Sequence, residues 1–120
     1  MDIEAFREYC LKKKGVTEGF PFDQYTLVFK VMGKMFAIAP LERIPPQANL
    51  KAAPEDIPEL REQYEGRILP GYHMSKSHWN TVLIEQLPEA FLRKLIDDSY
   101  NLIVASLPKK VRAELEGLPE

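Results

Sequence analysis

The stretch "YTLVFKVMGKMFAIAPL" (residues 25–41) constrains the fold more than any other part of the sequence. Leu27, Phe29 and Val31 alternate with Thr26, Val28 and Lys30, the run breaks at Gly33, and an apolar run resumes over residues 35–39. Successive side chains of a strand point to opposite faces, so the pattern reads as two strands. Gly33 then supplies the positive φ that a tight hairpin turn requires. Both faces of this hairpin are largely apolar. A sheet built on it should be covered on one side and semi-dry on the other.

The remaining segments supply the cover. "DIEAFREYCLKKKG" reads as a helix that Asp2 caps and Gly15 stops, with Ile3, Phe6 and Cys10 on one stripe. Lys12, Lys13 and Lys14 suit the negative pole at its end. "PPQANLKAA" is a loop stiffened by Pro45 and Pro46, followed by a third strand over residues 49–52. "DIPELREQYEG" is a short acidic helix. Asp56 with Glu59 fits a capping box, Pro58 falls in the first turn, and Gly66 ends it. "RILPGYHM" and "HWNTVLIEQ" read as two strands joined around residues 75–77. Pro88 opens the longest helix, whose stripe is Phe91, Leu92, Leu95, Ile96, Ile103 and Leu107. Pro108 starts a short last one. The order predicts one α+β domain over residues 1–120, a twisted antiparallel sheet with helices packed on one face.

At 120 residues the chain can bury a single core without metals or disulfides. Its net charge of −2 is not that of a protein coating nucleic acid indiscriminately, so any such activity needs a local basic patch. A lone cysteine forbids an internal disulfide. The charged, amphipathic start is no signal peptide, and no apolar run is long enough to span a bilayer. A cytoplasmic protein without membrane association is expected.

Residues 69–82, "LPGYHMSKSHWNTV", hold both histidines and the only tryptophan. His73 and His78 are five apart, but no Asp or Glu lies between positions 69 and 84 and Cys10 is distant, which leaves zinc short of ligands. No metal and no cofactor is expected. Ser75 and Ser77 stand near His78, yet no nucleophile elbow, glycine-rich oxyanion loop or nucleotide-binding loop accompanies them. An enzyme is not expected. A binding surface has more to build on. Lys30, Lys34, Lys51 and Lys76, the imidazoles of His73 and His78, the Trp79 ring and the Asn80 amide are the ingredients of a sheet surface for DNA or RNA. Tyr72 and Trp79 could equally be core residues, with the lysines keeping an open face soluble. Alternatively, Met32, Met35 and Met74 on the same face would suit a protein partner or a small ligand.

"FPFDQYTLVFKVMGKMFAIAPL", "NLKAAPEDIPELREQY", "PGYHMSKSHWNTV" and "LIDDSYNLIVASLPKK" resemble, in that order, the signature blocks of the MmcQ/YjbR family of small bacterial proteins. The resemblance covers residues 20–110. It implies a fold similar to the CyaY/frataxin group and a DNA-binding role of the kind commonly inferred for members, with no catalytic residues to carry over. The frataxin likeness would also suggest iron. Frataxin-type proteins use an acidic first helix, however, and here Asp2, Glu4 and Glu8 are offset by Arg7, Lys12, Lys13 and Lys14.

Overall fold

The computed structural model describes residues 1–72 and 74–119. Among these described residues six antiparallel strands and four helices follow one another: α1 (Ile3–Leu11), β1 (Val16–Gly19), β2 (Thr26–Val31), β3 (Lys34–Pro40), β4 (Gln47–Lys51), α2 (Ile57–Gln63), β5 (Ile68–Pro70), β6 (Trp79–Leu83), α3 (Glu89–Ser106) and α4 (Lys109–Glu116). The strands lie side by side in the order β1-β2-β3-β4-β6-β5. This is the expected α+β architecture with one more strand than the pattern announced. β1 is short and half its residues are exposed, so it carries no alternating signal. It pairs with β2 because Gly15, at φ +74°, turns the chain straight out of α1.

The β2–β3 hairpin closes through Met32 and Gly33, both at positive φ (49° and 86°), as a two-residue turn demands. A bulge between Phe29 and Lys30 of the ladder gives β3 an extra residue. Phe36 and Ala37 are consecutive, yet both are buried in the main core. Phe36 packs edge-on against Tyr100 of α3, at 5.4 Å between ring centres. Where β3 and β4 diverge beyond the Ala37–Leu50 pair, the buried Ser99 of α3 fills in. Its hydroxyl accepts from Lys51 N at 2.9 Å and donates to the Phe36 carbonyl at 2.6 Å.

The core lies between the sheet and its helices. It gathers Leu27, Phe29 and Val31 of β2 with Leu92, Leu95, Ile96 and Ile103 of α3 and with Phe6 and Cys10 of α1. Burial pushes the Cys10 thiol up to about 12. Leu92, Leu95, Ile96, Ile103 and Leu107 are buried as their spacing requires, while Phe91 is only half-buried and stacks on Tyr64, just past the end of α2, at 4.5 Å.

Two local expectations fail. Asp56 makes no capping bond, because it already has helical backbone angles (φ −89°, ψ −19°) that turn its carboxylate away from the free N–H groups. Two of the three lysines that follow α1 serve other elements. Lys13 pairs with Asp97 and lies 5.0 Å and 5.1 Å from the Tyr9 and Tyr100 ring centres, and Lys14 Nζ donates to the Glu116 carbonyl at the end of α4. β5 is also shorter than its pattern, ending at Pro70, which an edge strand tolerates.

Candidate ligand-binding cavity on the open sheet face

The face away from the helices carries one continuous row across the ladders: Val28, Ile38, Asn49, Thr81 and Leu69. The first four are buried although no helix covers them. Loops do so instead. Residues 20–25 and 41–46 come from one end of the sheet, and residues 71, 72 and 74–78 lie at the other. Gly71 makes the chain's return there possible. Its N–H donates to the Trp79 carbonyl at 3.0 Å, and a Cβ there would stand 2.9 Å from the same oxygen and 3.0 Å from Trp79 Cβ. Tyr72 then lies over the sheet, its backbone N–H donating to Thr81 Oγ1 at 3.1 Å. The Arg43 guanidinium, arriving from the opposite loop, stacks 3.9 Å above the Tyr72 ring.

Between these loops and the sheet is a cavity of about 680 Å³. Ile38, Thr26 and Asn49 form its floor; Met35, Met74, Phe22, Tyr25 and Tyr72 form its walls. Phe22 is 65% exposed, and Phe20, Tyr25, Leu41 and Tyr72 are exposed as well, with Ile44 at 92% on the neighbouring loop. Clustered apolar exposure of this kind marks a binding site more often than a solvated surface does. The rim carries Arg43, Glu42 and Asp23. Asp23 is committed to its own loop: it accepts from Tyr25 N at 2.8 Å and from Thr26 N at 2.7 Å. Those bonds hold its carboxyl below the ordinary aspartate value.

The sequence-expected residues divide. Lys30, Lys51 and Trp79 belong to the open-face set at one end of the sheet, with Lys51 directly opposite Trp79. Lys76 and His78 are exposed in the adjoining turn. Lys34 is drawn to the helix side, donating to Ser106 Oγ at 2.7 Å. Asn80 is 3% exposed on the helix side, where its Oδ1 accepts from Arg61 Nε at 2.9 Å. His73 lies outside the described residues. Of the methionines, Met35 and Met74 line the cavity, whereas Met32 packs against the main core. Ser77 Oγ comes within 2.9 Å of His78 Nδ1 and Ser75 Oγ within 3.3 Å. The group is exposed, and among the described residues no carboxylate orients the ring.

Phe22, Tyr25, Arg43 and Asn49 were not singled out from the sequence as site residues. A signal was there: "FPFDQY" puts three aromatics into six residues of a loop, too many for a solvated connection. A second hollow of about 620 Å³ opens on the helix side between α2 and α3, with Asp56, Glu59 and Asp98 on its walls. Among the described residues no group of three or more His, Cys, Asp or Glu side chains could hold a metal ion. Among them, too, no helix is long and apolar enough to cross a membrane.

Comparison with known proteins places the chain. The model of the family described as YjbR matches residues 11–102. The uncharacterised protein YbdF of Escherichia coli O157:H7 is 44% identical over 108 residues, covering 89% of this chain and 88% of YbdF. The uncharacterised protein YjbR of Escherichia coli K12 is 32% identical over 119 residues, 98% of this chain and 100% of YjbR. Among solved structures, Deinococcus radiodurans protein DR2400, with family-model domain DUF419, superposes with a TM-score of 0.87. It is 38% identical, over 98% of this chain and 88% of that one. A Pseudomonas syringae protein superposes at 0.72 with 31% identity, over 85% of this chain and 98% of that one. With one fold running through nearly the whole length and the family model matching residues 11–102, the chain belongs to the YjbR family.

Proposed function

We propose that this protein is a non-catalytic, cytoplasmic binding module whose ligand is a small molecule seated in the open-face cavity. The observation that carries this is the cavity itself, walled by exposed aromatic rings over a sheet face that is buried without a helix on it. Ligand sites have this character: concave, mostly apolar, with a few placed polar groups. Met35 and Met74 add walls that adapt to shape. The frataxin likeness and its iron chemistry gain no support from the side chains, since no cluster of metal-ligand type exists among the described residues.

A nucleic-acid surface is the second reading, favoured by one observation. Lys30, Lys51 and Trp79 share the open face at one end of the sheet, with Lys76 in the turn beside them. Three such lysines neutralise about three phosphates, for a slope near −3 in log K against log salt. That leaves weak binding at physiological ionic strength.

One experiment separates the two. The ¹⁵N-labelled protein is titrated with a library of small aromatic fragments and, separately, with single- and double-stranded oligonucleotides at about 50 mM and 200 mM salt. Fragment-induced shifts gathered on Met35, Ile38, Asn49 and Met74 are expected. Oligonucleotide shifts centred on Lys30, Lys51 and Lys76, lost at the higher salt, would instead establish the nucleic-acid surface. Fragments that leave the cavity residues unmoved would end the small-ligand proposal.

A further inference from the structure

Resting on the cavity as a ligand site, we infer that its ligand is a neutral planar ring bearing a hydrogen-bond acceptor, which takes the side-chain N–H of Asn49. Three facts fix the polarity of that side chain. The Tyr72 backbone nitrogen can only donate, so Thr81 Oγ1 is an acceptor at 3.1 Å. The single hydroxyl proton of Thr81 is then directed to Asn49 Oδ1 at 2.6 Å. With the amide turned around, Thr81 would face donors on both sides and its proton would have no acceptor. Oδ1 therefore faces Thr81, and Nδ2 faces away from it.

Nδ2 carries two donors and has no partner among the described residues. Asn49 itself is only 6% exposed. Every fully buried side-chain nitrogen and oxygen among the described residues has a partner, so Nδ2 keeps an opening to solvent. Asn49 lines the cavity, and the cavity is that opening. A donor placed on the floor of an apolar hollow specifies an acceptor in whatever fills it, because an occupant without one would strip the amide of water and return nothing.

The walls specify the body of the ligand. The Arg43 guanidinium, 3.9 Å from the Tyr72 ring centre, and the ring itself offer planar groups, and Phe22 and Tyr25 present exposed rings nearby. Planar faces stack on planar ligands. The rim argues for neutrality. Two carboxylates, Asp23 and Glu42, stand against one guanidinium and disfavour an anion. The positive ends of the Asn49 N–H bonds disfavour a cation at the floor.

Quinoline and naphthalene test this. They have the same bicyclic shape and differ by one ring nitrogen acceptor, and quinoline is uncharged at neutral pH. The full-length ¹⁵N-labelled protein is titrated with each, following the backbone amide of Ile38 and the side-chain NH₂ resonances of Asn49. Both compounds are expected to move Ile38, with quinoline binding about tenfold more tightly and alone shifting the Asn49 NH₂ signals. Equal affinities with unmoved NH₂ signals would overturn the inference and leave the cavity standing as a ligand site. If neither compound moves Ile38, the cavity proposal falls with it. In Asn49→Asp, which keeps the shape and removes both donors, the preference for quinoline should vanish; a retained tenfold preference would overturn the inference. Should that variant not fold, the NH₂ shift in the unaltered protein decides.

Discussion

Thr81 joins three elements with one hydroxyl. It receives the Tyr72 N–H that holds the returning loop down and gives its proton to Asn49, which fixes the amide facing the cavity. Replacing it with valine keeps the volume and leaves a backbone donor and an amide oxygen unpaired at a site where Thr81 is buried. The expected cost is about 1–3 kcal/mol in denaturant unfolding. A loss well under ~0.5 kcal/mol would show that water replaces the hydroxyl freely. Cys10 offers a second residue-scale test. Burial pushes its thiol up to about 12, although Lys13 nearby favours the thiolate. Native protein should therefore react with a thiol reagent orders of magnitude more slowly than unfolded chain, because the reactive thiolate is scarce and enclosed. Comparable rates would mean that α1 opens readily.

The loop of residues 20–25 shows best why some elements were legible in the sequence and others were not. Strands β2 and β3 announce themselves through alternation and a glycine turn, and α3 through five buried positions at helical spacing. β1 and the cavity loops have no period to read; their conformation is set by contacts with distant residues, such as Arg43 with Tyr72. Proximity in a sheet likewise misled the site reading. Lys34 and Asn80 sit on strands of the right composition, but alternation and a bond to Ser106 or Arg61 carry them to the helix side. What holds the 20–25 loop is Asp23, whose carboxyl is kept below its usual value of 3.8, first by the Tyr25 N–H and also by Thr26. A lowered folded-state value means stabilisation present at neutral pH and lost as pH falls through that value. Acid titration should therefore loosen the loop only below about pH 4, read from the amide signals of Tyr25 and Thr26. In Asp23→Asn the acid-dependent step should be missing. The same step in both proteins would assign it to another carboxylate, such as Glu18 with its Arg7 partner.

For the whole molecule, the division between two faces organises everything else. One face is sealed by α1 and α3 over a continuous core, which is expected to hold the chain without metal or disulfide. Excess chelator should then lower the thermal midpoint by less than ~5 °C, since a structural metal contributes far more free energy than such a shift represents. A larger fall would reveal a metal that the fold depends on. The other face is roofed by loops and stays partly open, and there the proposed ligand sits. Crystals soaked in a library of small aromatic fragments test that placement most directly. Density is predicted between Ile38, Phe22 and Tyr72, with Arg43 still stacked on the Tyr72 ring. Fragments gathering in the cleft between α2 and α3, or scattered over the surface with the open-face cavity empty, would contradict it.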